Sequence, residues 1–398
     1  MLSNVPILFI EINNSNYTFI AGVYDDNKNF KINEKIVTLS AGINKKKFIN
    51  LDEAYKAIKT SIETIESKLD FVFKEVTIII DAFNCSCTNI SGFKKLNGSQ
   101  IFKENISYIL NSLKSLITEN ENKNKILHIF NSKSILDGVE VKNLPIGLFG
   151  DFYIHNLTFF FINDNDLKNI KFLFNKHNIE VKKIFLKNFV EGAQLIELKN
   201  HESFLKLKID ENSSNISFFY NSAFVYSEDF DYGSNIVYRD IEKICLIDKK
   251  IIKNFFNDSV LNQTSIDKDE VLEKKYFINS NFRKIRKKLI FDIAKARIEE
   301  ITNRILNKKT NIKNLKFDNF KIFVMFQDKV IEKNFEKFFD KFISQNNYQK
   351  PEFIDTFSSE TTVSKASKLS VSGWRNEAIP VAQQKKSLIT KVFKLLFD

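Results

Sequence analysis

Few side chains in this sequence are spaced for catalysis. His128, His155, His177 and His201 are scattered, make no metal set, and read as packing or surface residues. No Ser–His–Asp or Cys–His arrangement can be argued from spacing. Cys85 and Cys87 stand at i and i+2, too close for a zinc knuckle, and with Cys245 they give no disulfide framework. Ordinary packing in a reducing cytosol is the expectation for all three. The stretch with a definite physical chemistry is KKSLITKVFKLLFD, residues 385–398. At about 100° per residue, Leu388, Ile389, Val392, Phe393, Leu395 and Leu396 cover an arc of roughly 160°, and Phe397 follows them. Ser387, Thr390, Lys391 and Lys394 fill the opposite side, Lys385 and Lys386 lie just upstream, and Asp398 is the one acid. An apolar stripe of this kind could dock on the protein's own core. Placed behind a Ser- and Gln-rich stretch, with Lys on its polar face, it reads as an interfacial membrane helix on anionic lipid. One such tail should bind weakly, and several on one polymer far better.

Composition narrows the classes. The chain has 398 residues, 43% hydrophobic and 27% charged, as in a folded protein of two or three domains. The formal charge of +11 admits nucleic acid or an anionic membrane as partner. Its local groups are Lys45–Lys47, Arg283–Lys288 and Lys385–Lys386. No zinc spacing, helix-turn-helix or RNP-like strand accompanies them, so no nucleic-acid partner is expected. The 41 Phe belong to a bias that pervades the chain, but only 10 Gly matter more, because phosphate-binding loops need glycine. No secretory signal and no transmembrane stretch is expected.

The organising element is Phe204 to Tyr226. Apolar runs flank the polar cluster Asp210–Asn215, a strand–turn–strand signal. Ile7–Ile12, Asn13–Asn16 and Tyr17–Tyr24 repeat it near the N-terminus, which suggests two related α/β halves, each opened by a hairpin. Leu51–Ser67 has helical spacing, with Asp52 and Glu53 suiting its first turn, and Val76–Ile80 reads as a central parallel strand. Residues 82–161 hold β and α elements of their own and read as an inserted subdomain. Residues 248–280 look polar and peripheral. Asn281–Leu306 reads as one helix with the stripe Ile285, Leu289, Ile293, Ala296, Ile301 and Ile305. Phe320–Phe326 is an expected strand, Lys329–Ile343 a helix, and 357–384 a flexible linker.

The motifs carry a resemblance. Ile135-Leu136-Asp137-Gly138, followed by Asn143, Pro145, Ile146, Gly147 and Gly150, resembles the inserted subdomain of the FtsA family, actin-like bacterial division proteins that tie the FtsZ ring to the membrane. Gly233-Ser234-Asn235 with Asp240-Ile241, and Ala296–Ile301 (ARIEEI), resemble further stretches of that family, and the basic tail matches by position and chemistry. The resemblance spans nearly the whole chain. It implies an actin/Hsp70-like duplicated α/β ATPase fold with an SHS2-like insert. The implied parts are 1A (1–81 and 162–200), 1C (82–161), 2A (201–240 and 307–356) and 2B (241–306), then the linker (357–384) and the amphipathic helix (385–398). It also implies a homopolymer at the division site, peripheral on the cytoplasmic face of the inner membrane, that binds FtsZ and recruits later division proteins. Arg283, Lys284, Arg286 and Lys287 are the candidates for an acidic FtsZ peptide.

The implied ATP and Mg²⁺ site departs from the family. Its first phosphate loop falls on Glu11, Ile12, Asn13, Asn14 and Ser15, and its second on Lys208, Ile209, Asp210, Glu211, Asn212, Ser213, Ser214 and Asn215, with Gly233 nearby. The family's glycines and acidic groups are largely replaced there, and Asp210 and Glu211 would set negative charge beside a triphosphate. The expectation is little or no hydrolysis, with ATP and Mg²⁺ either bound poorly or held as a structural cofactor in a divergent pocket. The alternative is an active actin-like ATPase with an assembly or chaperone-like role, although the sequence offers no separate peptide-binding domain for a chaperone.

Overall fold

The computed structural model describes residues 5–81, 83–258, 269–277, 281–307, 320–333, 336 and 349–378. The expected membrane helix 385–398, the end of the expected linker, part of 248–280 and, of the expected helix Lys329–Ile343, residues 334–335 and 337–343 lie outside the described residues.

The chain opens with strands β1 (Ile7–Ile12), β2 (Asn16–Tyr24), β3 (Phe30–Leu39), β4 (Ile43–Asn44) and β5 (Lys47–Phe48). Helix α1 (Leu51–Leu69) starts where the Asn50 side chain accepts the N–H groups of Asp52 and Glu53, and ends where Asp70 turns left-handed. Its face Ala54, Ile58, Ile62 and Ile65 is buried. Strand β6 (Glu75–Ile80) follows. Next come β7 (Cys85–Lys95), α2 (Lys103–Asn120), β8 (Asn124–Leu136), β9 (Val139–Val141) and β10 (Phe152–Asn163), then α3 (Asp164–Asn175), β11 (Glu180–Leu186) and α4 (Lys187–Lys199). The second half runs through β12 (Phe204–Ile209), β13 (Ser214–Tyr220), β14 (Ala223–Phe230), α5 (Asn235–Cys245), α6 (Lys249–Asp258), α7 (Lys287–Asn307), β15 (Lys321–Phe326), β16 (Glu352–Phe353) and α8 (Ser359–Ser372).

The two halves have the same sheet. The first runs β3-β2-β1-β6-β11 and the second β14-β13-β12-β15-β16. In each, the opening strand is antiparallel to the next strand and parallel to the late one: β1 to β2 and β6, β12 to β13 and β15. The duplicated α/β fold expected from the two hairpins is therefore present. Between β6 and α3 sits a separate four-stranded antiparallel sheet, β7-β10-β8-β9, with α2 packed on one face through Ile106, Ile109, Leu110 and Ile117. Its other face joins both halves. Phe130, Phe160, Phe189 and Phe224 meet there, and Phe160 and Phe224 stack at 4.2 Å.

Three expectations need correction. Residues 357–378 are not a flexible linker. Ser358 caps α8, which buries Val363, Ala366 and Leu369, and residues 374–378 then strap the insert to the second half. Trp374 donates its indole N–H to the Ser222 carbonyl at 2.7 Å, Asn131 N–H donates to Asn376, and Ala378 N–H to Ile129. Residues 248–280 do not begin as a polar periphery, because α6 buries Ile251, Ile252, Phe255 and Phe256. The long helix begins only at Lys287. It buries Ile290, Phe291, Ala294, Ile298, Ile301 and Ile305, while Leu289 faces outward. Of the expected stripe, Ile285, Ile301 and Ile305 are buried and Ile293 packs against the core, whereas Leu289 and Ala296 are exposed.

Two predictions follow from the insert and its strap. Trp374→Ala should lower stability by about 2–3 kcal/mol in urea unfolding, where a flexible linker would predict no change. His155 on β10 is fully buried, and neither ring nitrogen has a hydrogen-bond partner. Burial pushes its pKa down to about 4. The unfolded chain then takes up a proton near pH 6.5 that the folded chain refuses until about pH 4. Stability is full above 6.5 and falls by roughly 3 kcal/mol as pH drops to 4. His155→Phe should lose less stability than the parent between pH 7 and pH 4 by about that amount, and equal losses would refute this.

Candidate functional site

The site implied by the hairpin turns is a cleft between the two halves, a cavity of about 660 Å³. One wall is the β1–β2 turn, the β4–β5 turn and Asp81 at the end of β6. The other is the β12–β13 turn with Asn215, Asp229 and Asp231, and Gln327 beyond β15. Lys187, the first residue of α4, stands between them. The structure thus brings Asn13, Asn14, Ser15 and Asp210 to Asn215 to one cavity, with Glu11 buried at its floor and Gly233 behind the second turn.

Several polar groups of each turn are bonded within the protein. Asn13 Oδ1 accepts the N–H groups of Ser15 at 2.9 Å and Asn16 at 2.7 Å. Asn14 Oδ1 accepts the N–H of Lys46. In the second turn Asp210 N–H donates to Ser213, Glu211 N–H to the Gln327 side chain, and the Ser214 hydroxyl to the Tyr232 carbonyl. Asn215 Nδ2 donates to Ser227, Glu228 and Asp229, and its oxygen accepts from Ser217. Gly233 has a packing reason: a Cβ there would come within 2.2 Å of the Asp210 carbonyl oxygen.

Below the turns lies a cluster of charges. Lys187 Nζ is 2.6 Å from Glu11 and 3.6 Å from Asp81. Lys208 lies 3.4 Å from Asp81 and 3.6 Å from both Glu191 and Asp210. Lys206 Nζ is 2.5 Å from Glu191 and 3.0 Å from Asn188 Oδ1. At the rim Lys46 pairs with Asp229 at 3.0 Å. Burial would raise the Asp81 carboxyl, but Lys208, Lys187, Lys206 and Lys46 outweigh it and hold it well below the ordinary range. Burial is likewise outweighed at Glu191, which Lys206, Lys208 and Lys187 bring down to about 2. Lys208 is held well above its usual value, against burial, by Asp210, Asp81, Glu191 and Glu11. For Lys206 and Asp210 burial wins, pushing the amine down and the carboxyl up.

Much of this donor set is already engaged within the protein. Three N–H groups of the turns that could cradle phosphate, those of Ser15, Asn16 and Lys46, are spent on Asn side chains. The Asn215 side chain is fully engaged by β13 and β14. The carboxylates at the floor already face lysines. Among the described residues no group of His, Cys, Asp or Glu is arranged to hold a metal ion. Of these charges the sequence marks Lys46 only within the basic group Lys45–Lys47, and Asp81, Lys187 and Glu191 carry no signal of their own. Lys206 and Lys208 carried a signal, two lysines at i and i+2 in an apolar strand, as did Glu11 in Ile7–Ile12.

The four basic candidates for an acidic peptide divide. Arg286 and Lys287 face Asp269, Glu270 and Glu273, with Lys287 Nζ 2.5 Å from Glu270. Arg283 and Lys284 are exposed on the extended segment before α7.

No family model matches the chain. It is 23% identical over 310 residues to the cell division protein FtsA of Buchnera aphidicola subsp. Schizaphis graminum, which covers 76% of this chain and 72% of the relative. It is 23% identical over 328 residues to that of Buchnera aphidicola subsp. Acyrthosiphon pisum, covering 78% and 76%. Among solved structures it is similar to a PilM-PilN type IV pilus biogenesis complex, with a TM-score of 0.53 and 8% identity over 94% of this chain and 98% of that one. Together with the repeated sheets, these likenesses establish an actin/Hsp70-like duplicated α/β ATPase fold, distantly related to FtsA sequences.

Glu191→Gln should cost about 3–5 kcal/mol, because it strands the fully buried Lys206 without a counter-charge, while Lys208 keeps Asp81 and Asp210. Lys206→Met combined with Glu191→Gln should recover most of it, with Lys206→Met alone closing the cycle. A double-mutant cycle by urea unfolding checks both, and additive losses would show that the pair is not coupled.

Proposed function

We propose that this chain is a scaffold of the FtsA type, which polymerises on the cytoplasmic face of the inner membrane and ties FtsZ filaments to it at the division site. The observation that carries this reading is an actin-like fold with an insert, whose cleft is lined by charges already paired with one another. The fold is kept while the groups that would handle a nucleotide are engaged elsewhere. That is the pattern of an adaptor and not of an engine, and in this reading ATP and Mg²⁺ are dispensable and hydrolysis is absent. The similarity to two FtsA proteins over about three-quarters of each chain supports the division role. The basic amphipathic segment 385–398 supplies membrane affinity, and among the described residues no helix is long and apolar enough to cross a membrane. Arg283 and Lys284 are the exposed members of the basic group offered to an acidic FtsZ peptide. Later division proteins would join the same polymer.

The fold alone supports a broader second reading, an actin-fold ATPase that assembles other proteins. The likeness to the pilus biogenesis complex is of that kind. Co-sedimentation with anionic liposomes separates the two. The full chain should pellet and carry FtsZ with it, a chain ending at Gln384 should do neither, and Mg²⁺–ATP should change both by less than twofold. Equal pelleting of the shortened chain would remove the anchor. ATP turnover, or capture of lipid or FtsZ only with ATP, would favour the assembly ATPase.

A further inference from the structure

The buried charges connect the walls of the cleft. Glu11 and Asp81 belong to the first sheet and the strand end beside it. Lys206, Lys208 and Asp210 belong to β12 and its turn in the second. Lys187 and Glu191 lie on α4, which follows the last strand of the first sheet and leads to the second. Every ammonium therefore reaches a carboxylate on another element: Lys208 to Asp81 across the cleft, Lys206 and Lys208 to Glu191, Lys187 to Glu11 and Asp81. At the cleft's rim Lys46 of the first half reaches Asp229 of the second.

We propose that this cluster is a built-in latch, in which lysine ammonium groups bridge the carboxylates of the two halves and hold the cleft in one closed arrangement without any ligand. Opening the halves would leave buried lysines and carboxylates facing each other across a widening gap, and charges stranded in that way are costly. A bound ligand would have to break internal pairs before it gained any of its own. The Lys46–Asp229 pair shares the same direction but is a single contact, whereas Lys208 also reaches Glu191 and Asp210, so the rim pair trims the latch without carrying it. This inference goes beyond the division role and stands or falls apart from it.

The test is the distance between spin labels placed on α1 and on α5, read by double electron–electron resonance on the full chain. The unmodified cleft should give one narrow distance distribution, unchanged by millimolar Mg²⁺–ATP or Mg²⁺–ADP. Lys208→Met should broaden the distribution at least twofold or shift it to longer distances, and Lys46→Ser with Asp229→Ser should broaden it less. If the unmodified chain shows two populations that Mg²⁺–ATP collapses into one, the latch is wrong and the cleft closes on a ligand. If Lys208→Met folds, as judged by circular dichroism, and keeps the narrow distribution, the latch is also wrong. Should Lys208→Met not fold, the nucleotide series on the unmodified chain and the rim variant decide alone. For the rim variant, the narrow parental distribution would count against a cross-cleft contribution from that pair.

Discussion

An ammonium group taken out of water must be neutralised where it sits, and three of them are buried at the centre of this molecule. Lys206 is fully buried, and Lys187 and Lys208 nearly so. Each must have a carboxylate within a few ångströms, and those carboxylates come from elements far apart in the chain. Glu11 lies at the start of the first sheet, Asp81 at the end of its parallel strand, Glu191 one turn into α4. The relative placement of both sheets and of α4 is therefore written into one electrostatic condition. A small rotation of either half that spoiled the pairing would leave a desolvated charge, and such a charge costs far more than its pair contributes.

The rest of the architecture keeps that condition satisfied. The two sheets share one core with the insert through Phe130, Phe160, Phe189 and Phe224. Phe189 lies two residues from Lys187 and two from Glu191, so the aromatic packing fixes the turn of α4 that carries both charges. On its other side Trp374 packs edge-on against Phe189 while its indole binds the Ser222 carbonyl. The strap, the insert and the second hairpin thus converge on the helix turn that presents the charges. Gly192 completes it: a Cβ at that position would collide with the Phe219 ring, so only glycine lets α4 lie this close to β13.

Much of this was legible in residue patterns, and the limits are physical. The duplication shows in two apolar hairpins around Asn13–Asn16 and Asp210–Asn215, because a strand–turn–strand unit is encoded locally. Strand β6 shows as an unbroken apolar run and α1 as a stripe between Asn50 and Asp70. Helix α8 was hidden. Its sequence is rich in Ser and Thr, which favour turns and caps, and only its burial against α4 and the first sheet makes it a helix. The cleft was half legible. The loss of glycine in both turns is visible in sequence, and Glu11, Lys206 and Lys208 stand out in apolar strands. What replaced the glycines could not be read locally, since Glu11 meets Lys187 across 176 positions and Asp81 meets Lys208 across 127.

Glycine loss and charge gain belong to one physical change. A glycine-rich turn leaves its N–H groups aimed at a ligand and unsatisfied without one. Asn in place of glycine tolerates the same turn and brings an acceptor of its own, as Asn13 does for Ser15 and Asn16. Carboxylates that would otherwise need a cation face the same problem one layer deeper, and a lysine on a neighbouring strand solves it permanently. Both substitutions remove the cost of an empty cleft, and both raise the cost of filling it.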